Sequence, residues 1–410
     1  MVMDGYEKLA LVASATEFES DGPPPCSPNR RSLHPEPAAY APTPGTSHIP
    51  ISVSKGHVSA GGHDIPIHMA AGPNGKRIPL LKAMLTTACE MNCHYCAFHS
   101  SRDYRRVTFK PEELANIFHS IHKSGCVEGL FLSTGICGGG ANTQNRLIDA
   151  AEILRHRLGY RGYLHLKIMP GAERDQVLRA MQLADRISIN LEAPNPARLA
   201  FLAPRKEFYE QLLVPFQWME EIRQKMPPPE AWNHRWSSST TQFVVGPAGE
   251  TDLELMSIVA HLTRSPGFAR AYFEAFKPVP GTPLENHPPE DLLRQHRLYQ
   301  ASFLLRDYGF DLEDLSFTQQ GNLPREVDPK LAYAEFNLMD APVELNNADR
   351  NELLRIPGIG PRSASAIYLA RRENKLQHLS QLHKLGILTE RAAPYILLNG
   401  RRPPQQLRLF

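Results

Sequence analysis

At 410 residues, with 42% hydrophobic side chains, the chain has room for two domains, or for one large domain and an appendage, around a substantial core. The formal net charge of +2 conceals an uneven distribution, because residues 341–410 hold 11 Lys and Arg against 5 Asp and Glu and leave the rest mildly acidic. No segment approaches the ~20 apolar residues of a membrane span. The start is too acidic, and the apolar run from Leu9 to Ala15 too short, for a signal peptide, and six cysteines without an extracellular framework fit a reducing compartment; the expected location is the cytoplasm.

Taken in chain order, residues 1–76 read as an N-terminal extension whose stretch 21–50 carries nine prolines and cannot order itself by apolar burial. From 77 to 285, short apolar strands alternate with amphipathic helices, the pattern of parallel βαβ units. Strands are expected at 78–86, 129–134, 162–168, 186–191, 240–245 and 270–276. Helices are expected at 111–124, 142–158, 172–183, 207–225 and 251–263. Six units are fewer than the eight of a closed barrel, so the expected fold class is α/β, a partial, laterally open (β/α)6 TIM-like barrel. Residues 286–340 read as a helical extension and linker, and 341–410 as a small all-α domain.

The run Cys89-Glu-Met-Asn-Cys93-His-Tyr-Cys96 follows the first of these strands. Thiolates at C-x3-C-x2-C spacing can hold three irons of a 4Fe-4S cube and leave the fourth iron open to a substrate. A zinc site would need a fourth ligand, for which His94 and His99 are the candidates, and an electron-transfer cluster would need a fourth cysteine, the next being Cys126. Cys137, in Gly135-Ile-Cys-Gly-Gly-Gly140, falls near the expected barrel mouth as a hydrogen-atom donor, an auxiliary ligand or a packing residue. Cys26 and Cys126 read as inert.

Inside the expected strands, period-2 alternation puts polar residues on one face: His165 with Lys167, Ser188 with Asn190 and Glu192, Thr240 with Gln242, and Tyr272 with Glu274. A structural barrel interior would be filled with branched apolar side chains. Burying these groups requires a polar ligand, water or a mutually bonded network, and ligand binding at the strand C-terminal ends is the favoured reading.

The cysteine spacing resembles that of the radical SAM enzymes. The stretches 80–89, 128–136, 162–171, 185–192, 241–246, 296–300 with 304–309, and 328–330 further resemble the DNA modification/repair radical SAM proteins, a family with a C-terminal helix-hairpin-helix and a link to uracil-DNA glycosylases. The resemblance implies a 4Fe-4S cluster held by Cys89, Cys93 and Cys96. It also implies S-adenosyl-L-methionine on the open iron, cleaved by one electron to a 5'-deoxyadenosyl radical. Tyr95 would border the adenine. Ser133, Thr134 and Gly135 stand where the superfamily usually carries Gly-Gly-Glu for the methionine amino group, and the glutamate is missing here. Ser188, Asn190 and Glu192 would meet the ribose or the methionine carboxylate, and Val244 and Gly246 the adenine through main chain. Gln242 belongs to the same lining, and Lys167 is a carboxylate partner by charge.

In the basic tail, 348–356, Pro357-Gly-Ile-Gly360 and 361–372 read as helix, tight turn and helix, with Asn347 as cap and Pro361 at the first position of the second helix. A weaker echo spans 379–397. This resembles a helix-hairpin-helix DNA-binding domain, in which Gly358, Ile359, Gly360 and Arg362 would meet a phosphate. Such a module grips duplex or structured DNA with little sequence preference, and a protein-docking helical pair is the bland alternative. The expected function is therefore radical SAM modification or repair of DNA, supported by an electron donor such as flavodoxin or ferredoxin and by a partner of the uracil-DNA glycosylase type. The alternatives are RNA or tRNA modification, or a DNA-binding iron-sulfur redox sensor.

Overall fold

The computed structural model describes residues 3–15, 51–54, 57–71 and 77–404; the proline-rich stretch 21–50, with Cys26, lies outside the described residues. Two compact units emerge, Met1–Glu250 with Ser265–Glu290, and Thr251–Arg264 with Asp291–Phe410.

The first unit opens with α1 (Gly5–Ala15), whose inner face buries Leu9, Val12 and Ala13 at helical spacing. A three-stranded antiparallel meander follows: β1 (Ile51–Ser54), β2 (His57–Ala60) and β3 (His63–Pro66). Gly61 and Gly62 make the β2–β3 turn with φ of +61° and +80°, the left-handed pair that a two-residue hairpin requires. Then β4 (His68–Ala71) pairs antiparallel with β5 (Arg77–Met84) at the edge of the main sheet.

From β5 onward the strands run parallel and in chain order: β6 (Gly129–Ser133), β7 (Tyr163–Lys167), β8 (Arg186–Ser188), β9 (Ser238–Val245) and β10 (Phe268–Ala275). This curled sheet fits a partial TIM-like barrel. β6 reads Gly-Leu-Phe-Leu-Ser and is buried throughout, as a parallel strand covered on both faces must be. The connections carry α2 (Pro111–Lys123), α3 (Gly140–Glu152, continued by a π turn to Arg157), α4 (Arg174–Leu183), α5 (Pro196–Leu202) and α6 (Val214–Lys225, preceded by a π turn over Phe208–Leu213). In α2, Leu114, Ala115, Phe118 and Ile121 form the buried stripe, each large side chain contributing roughly 1.5–3 kcal/mol of burial.

Between β9 and β10 the chain makes α7 (Asp252–Thr263), which belongs to the second unit and packs with α8 (Leu292–Asp307). There Asp252, fully buried, accepts from Arg294 Nε at 2.7 Å and from the Leu323 amide at 2.9 Å, so the carboxylate leaves water with its charge compensated. The chain continues through α9 (Pro329–Asn337), α10 (Arg350–Arg355), α11 (Pro361–Glu373), α12 (Leu379–Lys384) and α13 (Thr389–Ala392). A short parallel pair, β11 (Val343–Glu344) and β12 (Ile396–Leu397), joins the two ends of the tail. Leu345, Leu353, Leu354, Ile356, Ile367, Leu382 and Ile396 share one core. Asp349, not Asn347, caps α10: its side chain accepts from the Glu352 amide at 2.8 Å while Glu352 returns to the Asp349 amide at 2.7 Å. No helix among the described residues is long and apolar enough to cross a membrane.

Candidate active site

The strand C-terminal ends open into a cavity of about 400 Å³ within the first unit. Cys89, Cys93 and Cys96 all line it, on a loop fixed at several points. The Glu90 amide donates to Ile136 O at 2.8 Å, and the Glu90 carboxylate accepts from the amides of Gly138 and Gly139 at 3.1 and 3.0 Å. The His94 amide donates to Leu202 O at 2.8 Å, tying the loop to the end of α5. Gly135 is required by a close approach, since a Cβ there would stand 2.3 Å from Ala88 O and 3.1 Å from Cys89 Cβ.

Burial raises the Cys93 and Cys96 thiols, with neighbouring thiolate charge adding to the effect, and Lys206 opposes it. The phenol of Tyr95, between them, is raised by burial and by the Glu192 charge. The Cys93 and Cys96 thiols, raised by burial, suit a site whose metal supplies further positive charge. Among the described residues no three His, Cys, Asp or Glu side chains are grouped for a single metal ion; in a cube each thiolate takes its own iron. Of the zinc candidates, His99 is buried with Nδ1 engaged by Ser101, and His94 turns its ring edge-on to Phe201.

Residues 84–262 match the family described as the Radical SAM superfamily. That match runs from the end of β5 into α7 and takes in the cysteine loop. The chain is also similar to solved structures: the FeFe-hydrogenase maturase HydG from Carboxydothermus hydrogenoformans, at 16% identity over 55% of this chain and 51% of that one with a TM-score of 0.44; methylornithine synthase PylB, at 16% over 57% and 64% with 0.41; and a radical SAM methyltransferase from Sphaerobacter thermophilus, at 14% over 63% and 74% with 0.41. The chain spans about half the length of HydG.

The cofactors of the radical SAM superfamily are a 4Fe-4S cluster and S-adenosylmethionine. The residues of this domain fit both. Three thiols face one cavity, the Phe98 amide donates to Cys96 Sγ at 3.4 Å, and the volume lies in the range of small-molecule sites. Tyr95, Ser133, Thr134, Gly135, Lys167, Asn190, Glu192, Gln242 and Val244 all line the cavity. Thr240, on the same strand as Gln242, keeps a buried hydroxyl with no protein partner. Two residues expected at the cofactor lie elsewhere. Ser188 is off the cavity, its hydroxyl 2.9 Å from His165 Nε2, and Gly246 is off it too, its amide donating to Glu250 Oε1 at 2.5 Å. Alternation gives the face of a strand, not the depth to which the cavity reaches. Cys137 is exposed and does not line the cavity.

Lys206 was not legible in the sequence. It enters from the loop after α5 and places Nζ 2.9 Å from Glu192 Oε1, with both side chains nearly buried. Burial alone would lower its pKa, but the Cys93 thiolate and the Glu192 carboxylate outweigh it and raise the ammonium above its ordinary value. Glu192 itself sits in the left-handed region at φ +63°, a conformation that costs a non-glycine residue about 1–3 kcal/mol and persists where surroundings impose it. Its amide and carbonyl bond Gln242 O and the Val244 amide, at 3.0 and 2.9 Å, which holds the strained turn in place.

In the second unit, Arg362 is exposed at the start of α11, whose first-turn amides receive no side-chain cap from Gly360. Gly358 has φ +83°, and a Cβ there would meet Leu388 O at 2.8 Å, so the second helical pair fills the space beside it. Ile359 is buried, and its carbonyl accepts from Lys330 Nζ at 2.5 Å.

Proposed function

We propose that this protein is a radical SAM enzyme that modifies or repairs DNA. When bound, the cluster and S-adenosylmethionine supply a reductively generated carbon radical that abstracts a hydrogen atom. Cys89, Cys93 and Cys96 would hold the cluster, Lys206 and Lys167 would draw the methionine carboxylate, and Asn190 and Glu192 would accept hydrogen bonds from the ribose or amino group. The Ser133-Thr-Gly135 segment lacks the usual acidic side chain, which leaves the amino group to backbone carbonyls, to Thr134 and to Glu192 across the cavity. A stacked base cannot reach a buried cavity, so the target nucleotide would be flipped or single-stranded.

One observation supports DNA above other substrates: the basic tail of 11 Lys and Arg against 5 Asp and Glu builds a helix, glycine-bearing turn and helix that resemble a helix-hairpin-helix, with exposed Arg362 beside uncapped amides. An electron donor such as flavodoxin or ferredoxin, and a glycosylase-type partner, belong to the same reading. The deciding experiment measures 5'-deoxyadenosine release by the reduced holoenzyme with duplex DNA, single-stranded DNA or structured RNA added. Stimulation by DNA supports the proposal, stimulation by RNA alone supports RNA modification, and DNA binding without any cleavage of S-adenosylmethionine would identify a redox sensor.

A further inference from the structure

The segment leaving the cysteine loop is held by a guanidinium. Arg102 Nη1 donates to Ala97 O at 2.8 Å, and its Nε donates to Pro280 O, also at 2.8 Å. The peptide group whose oxygen Arg102 binds is the one joining Ala97 to Phe98, and the N–H of that same group points at Cys96 Sγ, 3.4 Å away. One planar amide thus has a cation on its oxygen and a candidate iron ligand on its hydrogen.

The arrangement is braced from several sides. The Arg102 guanidinium lies 5.7 Å from the centre of the Tyr104 ring, and Tyr104 donates through its hydroxyl to Thr87 O at 2.5 Å, on the strand side of the cysteine loop. Tyr104 packs edge-on against Phe98 with ring centres 6.0 Å apart. Burial pushes the Tyr104 phenol up to about 12, so it keeps the proton that it donates. Gly281 sits where a Cβ would touch Arg102 Cγ at 3.4 Å, so the backbone after Pro280 closes over the arginine stem.

We propose that Arg102 is a positioning residue that sets the reduction potential of the cluster through the Ala97–Phe98 peptide, an inference that rests on Cys96 being a cluster ligand. A cation on the carbonyl polarises the amide and strengthens its N–H donor, by about 10–30% for such chained bonds. A hydrogen bond to a ligand sulfur favours the reduced cluster, which carries one more negative charge, and so raises the potential. Fork geometry matters as well as charge, because a lysine cannot bond Ala97 O and Pro280 O from two fixed nitrogens at once.

The test uses the full-length protein reconstituted anaerobically, with iron and sulfide content and the midpoint potential followed by the reduced-cluster EPR signal. Arg102→Gln should retain iron and shift the potential negative, and Arg102→Lys should shift it less. Arg105→Gln removes an exposed guanidinium that pairs with Glu7 at 3.6 Å, away from the Ala97–Phe98 peptide, and should leave the potential unchanged. An unchanged potential in Arg102→Gln overturns the proposal; so does full restoration by Arg102→Lys, or an equal shift in Arg105→Gln, since either would reduce the effect to bulk charge. If Arg102→Gln loses its iron, Arg102→Lys carries the test, and loss of iron in both would assign Arg102 to loop folding instead. A wild-type protein that assembles no cluster would overturn the cofactor reading itself, a distinct outcome.

Discussion

Lys206 Nζ stands 2.9 Å from Glu192 Oε1 in the cavity wall, and the carboxylate it meets is carried by a residue with left-handed backbone at φ +63°. A strained turn and a buried ion pair coincide at one residue, which is the pattern of a site held ready for a ligand rather than of a relaxed core. Removing one partner leaves the other charge buried and alone. Lys206→Met should therefore destabilise the fold by about 3–5 kcal/mol, and the Lys206→Met, Glu192→Gln double variant should recover part of that loss in chemical denaturation. Lys206→Met and Glu192→Gln should each also weaken binding of S-adenosylmethionine, and unchanged affinity in both would remove the pair from the site.

Cysteine substitution addresses the cluster directly. Anaerobic reconstitution should give four irons per chain to a 4Fe-4S cube, and Cys89→Ala, Cys93→Ala or Cys96→Ala should each abolish it, whereas Cys137→Ala should not. Stoichiometric zinc in protein purified without oxygen would contradict this.

Gly135 separates packing from chemistry. An added methyl would lie 2.3 Å from Ala88 O, so Gly135→Ala must move the backbone that leads into Cys89. The expected cost is roughly 1–3 kcal/mol of stability, with a lower yield of reconstituted cluster measured as iron per chain.

Arg362→Ala should weaken duplex DNA binding across sequences and lower the salt slope by about one phosphate contact, read as binding constants over a salt series. This variant is a cleaner probe than a bulky residue at Gly358, which would collide with Leu388 O and disturb the helical pairs themselves. Equal binding and equal slope would detach the tail from nucleic acid.

Lys330 predicts a pH dependence. Burial lowers its pKa from 10.5 to about 7, so between those values the unfolded chain binds more protons than the folded one. Stability should then rise as pH increases from about 7 toward 10.5, by at most ~1.4 kcal/mol per pH unit. Lys330→Met should flatten that rise in denaturation curves, and a wild-type curve that falls over this range would disprove the assignment.

The parallel strands were legible because each is a short apolar run bounded by turn residues, and β5 to β10 lie within a few residues of their expected places. The meander of β1 to β3 escaped, although Gly61-Gly62 between His57–Ala60 and His63–Pro66 was a usable hairpin signal. α1 was visible only as an apolar run, since its burial stripe comprises three small or medium side chains. In the site, the cysteines announced themselves by spacing and the polar strand residues by alternation. Lys206 and Arg102 did not, because each acts from a loop whose path depends on contacts distant in sequence, with Glu192 in one case and Pro280 in the other.

The chain leaves the first unit at Glu250, builds α7 in the second, and returns at Ser265 to lay down β10. The polypeptide passes between the units three times, after Glu250, after Arg264 and after Glu290. A genetic fusion or loss at a single junction after Glu290 would strand α7, with Leu255, Met256, Val259 and Leu262 stripped of the helices of its own unit. The C-terminal unit is thus no simple appendage, because a truncation after Glu290 leaves α7 behind without α8.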